Sequence, residues 1–180
     1  MLGNCTMKNY NVAQLRQCKA TRLQDLEFLI ELVDFFYGRN AHLIFRDLDL
    51  NNLRLCYSKA TGRLRVIAYN NRVFAFIRAS DFRLIPRIDM AILLHRVIPY
   101  PRHRIVIVNE IAEDILERGH TVFSRHVLEG DENIKPFDEV LIVNENDKLI
   151  GVGRALISYE AIITALRGPA VQIREKVRKT

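Results

Sequence analysis

Three cysteines and five histidines are the side chains of this 180-residue chain best suited to hold a metal or attack an electrophile. Their spacing supports neither task. Cys5, Cys18 and Cys56 are odd in number and far apart, which gives no CxxC pair and no disulfide framework, so structural or free thiols are expected. His120 and His126 are close in sequence, yet no histidine stands at metal-ligand spacing from a cysteine or carboxylate, and both read as surface residues. The sequence has no HExxH pair, no glycine-rich phosphate loop and no Gly-x-Ser-x-Gly elbow. The expectation is a protein that is not itself an enzyme and uses no cofactor or metal.

What remains is the chemistry of cations and aromatic rings. The net charge of +6 is unevenly spread: residues 1–101 carry 15 Lys+Arg against 8 Asp+Glu, whereas residues 102–180 carry 12 against 13. A local cationic excess suits a polyanion, because each neutralised phosphate releases condensed counterions. Within the basic half, strand parity places Arg72, Phe74, Phe76 and Arg78 on one face, and Arg63, Arg65, Ile67 and Tyr69 on one face of the neighbouring strand. Such interleaving can stack bases and hold phosphates. The stronger expectation packs Phe74 and Phe76 beneath the first helix and leaves the arginines at the margins.

These residues need elements to position them. Residues 1–20 are polar, lack periodicity and read as an extension. Thr21 with Gln24 forms a capping box for a helix whose apolar face runs through Leu23, Leu26, Ile30 and Val33 and ends near Gly38. Acidic and amide residues interrupt that run, and no apolar stretch approaches the ~20 residues of a membrane span. Met1–Lys19 lacks the pattern of a secretory signal, so a cytoplasmic protein is expected. Residues 53–58, 63–69 and 72–78 then read as a three-stranded meander, with Asn70-Asn71 suited to a tight hairpin. A buried helix over 88–98 ends before Pro99, and residues 100–103 form a connector.

The second unit opens with a strand at 104–108. Asn109 is placed to cap the next helix and Gly119 to end it. Strands follow at 121–123, 139–144 and 148–156, then a helix capped by Ser158 and ended by Arg167-Gly168-Pro169, and a closing strand over 170–176. The predicted fold class is α+β, with an N-terminal domain over 21–101 and a small helix-plugged β-barrel over 102–180.

The segments Ile107–Phe123, Asp138–Val143, Leu149–Ser158, Arg167-Gly168 and Ala170–Arg174 together resemble a PUA domain, the module of pseudouridine synthases and archaeosine transglycosylases. More weakly, Phe35–Gly38, Thr61–Arg65 and Phe76–Phe82 resemble the domain that precedes PUA in archaeosine tRNA-guanine transglycosylase and archaeosine synthase. The resemblance implies that RNA lies along the glycine-terminated helix, the strand after it and the closing strand. By position this assigns Gly119, His120, Thr121 and Val122 to an edge contacting the RNA backbone, and Arg125, Arg154, Arg167, Gly168, Arg174 and Lys176 to phosphates or base edges. One departure stands out: Phe137 occupies a position where the family usually has glycine.

The catalytic aspartates and zinc cysteines of the resembled transglycosylases lie in a large barrel domain that 180 residues cannot hold. The implied function is recognition of structured RNA, with tRNA the leading candidate, as an accessory to a separately encoded modification enzyme. Two rival roles are a ribosome-assembly factor that binds ribosomal RNA and a protein-interaction scaffold that no longer binds RNA.

Overall fold

A computed structural model describes residues 18–119, 121–165 and 167–178. The expected polar extension lies mostly outside them, as does His120. The first half builds an antiparallel sheet from β1 (Cys18–Ala20), β2 (Leu53–Tyr57), β3 (Leu64–Tyr69), β4 (Arg72–Ile77) and β5 (Leu84–Pro86), in that spatial order. The expected three-stranded meander is its centre, flanked by two short strands too brief to show alternation. Helix α1 (Leu23–Tyr37) and helix α2 (Ile88–Val97) cover one face.

Thr21 does not cap α1 as expected. Its hydroxyl donates to the Leu53 carbonyl at 2.9 Å, extending the β1–β2 pairing, and the helix starts later, with Asp25 accepting from the Arg22 amide. Asn70 and Asn71 both have positive φ, 47° and 60°, and close the β3–β4 hairpin as their residue types suggest. Cys18 and Cys56 are directly opposite on β1 and β2 and are joined as a disulfide, against the expectation of unpaired thiols; only pairing in space makes them neighbours.

Strand parity also fails at two bulges: the β2–β3 register shifts so that Cys56 faces Val66 while Tyr57 faces Leu64, leaving Arg65 as an extra residue. The β3–β4 register shifts so that Ala68 faces Val73 while Ile67 faces Ala75, leaving Phe74 as an extra residue. Phe74 therefore joins the core beneath α1 and α2, whereas Phe76 turns to the opposite face with Val66, Ala68 and the two bonded cysteines.

The second half is a six-stranded sheet curled into a half-barrel, with order β7-β11-β10-β9-β6-β8. Its strands are β6 (Arg104–Ile107), β7 (Thr121–Phe123), β8 (Val127–Gly130), β9 (Glu139–Asn144), β10 (Leu149–Ala155) and β11 (Pro169–Lys176). Helix α3 (Asn109–Glu117) and helix α4 (Tyr159–Thr164) plug the core formed by Ile105, Ile107, Ile115, Ile142 and Ile162. Ser158 caps α4 as expected, accepting from the Ala161 amide. Asn109 is not a cap but the first helical residue, and its amide donates to Glu145 in the β9–β10 turn at 2.8 Å.

One hydrophobic core runs through both halves. Met90 and Leu94 of α2 share it with Leu84 on one side and with Leu141, Val143, Leu149 and Val152 on the other. The guanidinium of Arg104, almost wholly buried, donates to the carbonyls of His95 and Ile98 at the end of α2 and to Asp147. Those carbonyls have no partner within the helix, so the second half supplies the C-terminal cap of the first. At the other end of α2, Glu175 of β11 accepts from the Ile88 amide at 2.8 Å and pairs with Arg87. Among the described residues no helix is long and apolar enough to cross a membrane.

Candidate nucleic-acid interface

Gly119 ends α3 as expected, its amide donating to the carbonyls of Asp114 and Ile115. Its size, rather than its φ, is what the site requires: a Cβ there would stand 2.7 Å from the Ile115 Cα. Val122 is fully buried in the core of the half-barrel, so only its backbone belongs to the edge. Beside it Arg125 is exposed, with its guanidinium 6.0 Å above the exposed ring of Phe123. Arg167 is exposed nearby, because the Gly168 carbonyl accepts from the Ser124 amide and Pro169 pairs with Phe123. Gly168 has φ +113° with open space where a Cβ would stand, so backbone conformation selects it.

A row of polar residues crosses the sheet from this corner. Thr121 pairs with Gln172, Gln172 with Arg154, and Arg154 with Glu139, which puts four side chains on one face. Arg154 donates to Gln172 at 3.3 Å and lies 5.4 Å from the ring of Phe137. Its Nε is buried and finds no acceptor among the described residues. Burial, helped by the neighbouring Arg174 charge, pulls the Arg154 guanidinium below its ordinary pKa.

Arg174, assigned by position to RNA, is engaged elsewhere. It grips Glu139 through two hydrogen bonds of 2.8 and 2.9 Å, and the Glu139 side chain is 2 % exposed. Burial pushes the Glu139 carboxyl up from its usual range, and the Arg174 guanidinium opposes that rise. Lys176 closes β11 at the end away from Arg167, four residues and hence roughly 13 Å at strand spacing beyond Gln172, the partner of Thr121. There it lines a cleft of about 640 Å³ between β4, the start of α2 and the end of β11, with Arg72, Phe76, Arg87, Glu175 and Arg178. The assigned residues thus fall into two exposed regions and one buried pair. Among the described residues no group of His, Cys, Asp and Glu is arranged to hold a metal.

The departure at Phe137 keeps the turn that a glycine would make. Its φ is +73°, a left-handed conformation that costs a residue with a Cβ about 1 kcal/mol or more. The ring projects outward. Phe82, at φ +57°, does the same in the β4–β5 turn. Arg83, next in sequence, donates to the Phe137 carbonyl at 2.5 Å and to Asp138 at 2.8 Å, tying the two turns together. In the same turn Arg78 holds the exposed Asp81 carboxyl down at about 2. Phe82 and Arg83 had no signal in the sequence beyond an exposed aromatic in a polar turn.

Comparison with known proteins fits this architecture. Residues 103–177 match the PUA domain family, and residues 29–101 match the patch-forming domain C2 of tRNA-guanine transglycosylase. The half-barrel with two plugging helices and a glycine-ended first helix is that of a PUA domain, and residues 103–177 of the chain are a PUA domain.

More particularly, the chain is similar to the C-terminal region of tRNA-guanine(15) transglycosylase. Identity is 36% over 159 residues with the Pyrococcus abyssi enzyme, covering 88% of this chain and 26% of that protein. With the Methanococcus vannielii enzyme it is 34% over 171 residues, covering 95% and 25%. The chain thus spans about a quarter of the length of these relatives. Two solved structures share the fold: a hypothetical protein from Pyrococcus horikoshii, with TM-score 0.62, 20% identity and coverage of 90% and 95%, and a conserved PUA domain protein from Thermoplasma acidophilum, with TM-score 0.58, 18% identity and coverage of 89% and 93%.

Proposed function

We propose that this chain binds structured RNA, tRNA foremost, as a non-catalytic accessory to RNA modification. The observation that carries this reading is the 36% identity, across most of the chain, with the C-terminal region of tRNA-guanine(15) transglycosylase. Exposed cations at the edge of the half-barrel, Arg125 and Arg167, and Lys176 and Arg178 in the cleft would engage phosphates. Gly119, His120, Thr121 and the Val122 backbone would form the edge along which the RNA backbone runs, with Gly168 beside it. Arg154 would serve a base edge, while Arg174 would act by fixing the surface on which the others stand. Such a role belongs in the cytoplasm.

A partner enzyme is the second part of the proposal. Phe35 of α1 is 81 % exposed, and Phe28, seven residues earlier and hence on the same helix face, is 43 % exposed. Apolar side chains so exposed suit a protein contact. The catalytic part of a transglycosylase-like enzyme, separately encoded or joined in one polypeptide, is the partner we assign to them.

The test is crosslinking in the native cell followed by sequencing of the bound RNA. Enriched tRNA is the expected result. Enriched ribosomal RNA would move the protein to ribosome assembly, and no enriched RNA would leave a scaffold on a PUA fold.

A further inference from the structure

The turn at Arg78–Arg83 is the turn at Ser58–Arg63 made a second time. In each, the first residue's amide donates to the carbonyl of the last, and the fifth residue's amide donates back to the first carbonyl, at 2.8 and 2.9 Å in one and 2.9 and 3.0 Å in the other. The left-handed fifth position is Gly62 in the first turn and Phe82 in the second. The turn therefore does not need a phenylalanine, and glycine fills the place with less strain. Nor does the core need it, since Phe82 is 46 % exposed. Phe137 repeats the pattern, left-handed and 52 % exposed. Two aromatic rings are thus held outward by strained backbone on turns that Arg83 joins.

The surroundings are cationic. Arg78, Arg83 and Arg174 are matched by Asp81, Asp138 and Glu139, whereas Arg154 has no carboxylate partner among the described residues. An unmatched guanidinium 5.4 Å from the exposed ring of Phe137, with Phe82 on the turn that Arg83 ties to it, has the chemistry of a site for an unstacked nucleobase and its phosphate: bases stack on rings and on guanidinium planes, and phosphate takes the charge. The row Thr121–Gln172–Arg154 leads to this place from the Gly119 edge.

We propose that Phe82 and Phe137 are stacking faces for an unpaired nucleotide of the bound RNA, with Arg154 holding its phosphate or base edge. This rests on the reading that the chain binds RNA, and it adds a subsite on the junction between the two halves.

The test uses the full chain with a blunt RNA duplex and with the same duplex carrying a short single-stranded overhang that contains 2-aminopurine. The wild type is expected to bind the overhang duplex on the order of tenfold more tightly than the blunt one and to quench the probe. Phe82→Gly and Phe137→Gly, which relieve the strained backbone and preserve both turns, should abolish that preference and the quenching while leaving the blunt affinity unchanged. Equal binding of both duplexes by the wild type would overturn the subsite alone. An overhang preference that survives both substitutions would also overturn it and leave these rings to a protein. Absence of binding to either duplex would overturn the RNA reading itself.

Discussion

Arg174 and Glu139 meet edge to edge, with Nε on one carboxylate oxygen at 2.8 Å and the second guanidinium nitrogen on the other at 2.9 Å, beneath the surface assigned to RNA. The pair joins β11 to β9 across β10 and is the least exposed ion pair on that face. Removing one partner leaves a buried charge without compensation.

Arg174→Ala is therefore expected to lower stability by about 3 kcal/mol at neutral pH, measured by urea unfolding. Burial already raises the Glu139 carboxyl, and removal of the guanidinium raises it further. A carboxyl raised in the folded state favours the fold below its unfolded pKa and loses that benefit as pH rises, so the deficit should shrink between about pH 7 and about pH 5. A deficit independent of pH would show that the pair is not the cause.

Substitution at Gly119 will not separate binding from folding. A Cβ placed 2.7 Å from the Ile115 Cα forces the end of α3 to move. Gly119→Ala should cost about 1 to 3 kcal/mol, visible as a lower Tm, before any effect on RNA is considered.

Exposed cations give the cleaner test of phosphate binding. Arg125→Ala and Arg167→Ala leave no buried group unpaired, so stability should change by less than about 0.5 kcal/mol. RNA affinity should fall, and the slope of log affinity against log salt should become shallower by roughly 0.7 to 0.9 for each phosphate no longer neutralised. An unchanged slope would remove that arginine from the interface.

His103 should make the fold acid-sensitive. Burial lowers its pKa from 6.5, with Arg102 acting in the same direction and Asp131 opposing. Its ring lies 5.1 Å from that of Tyr37, at the junction of the two halves. A depressed histidine contributes stability that is present above the unfolded value and lost as pH falls through the folded one. Tm should therefore drop between about pH 7 and about pH 5 in the wild type. His103→Asn, which accepts the φ of 55° found there, should flatten that drop.

The sequence revealed those elements whose signals are local. The existence of β3 and β4 as strands, the Asn70-Asn71 turn between them and the Ser158 cap each depend on residues within a few positions of one another, and each is in the structure. Features that depend on pairing in space were out of reach. Cys18 meets Cys56 only through the β1–β2 register, Phe76 leaves the core only because Phe74 is a bulge, and Arg174 is engaged by a carboxylate 35 positions away. The same limit applies to the interface: exposed Arg125 and Arg167 were legible as cations, but not which arginines the fold would keep for itself.

The core that runs from β5 through α2 to β10 has a consequence for scale. With α2 capped by Arg104 at one end and held by Glu175 at the other, the Gly119 corner and the Lys176 cleft cannot slide or swivel independently. A rigid body that offered both places to one RNA would act as a calliper. An RNA helix spanning both would be read by its length, since one added base pair turns the far end by about a tenth of a revolution and carries it off the second jaw.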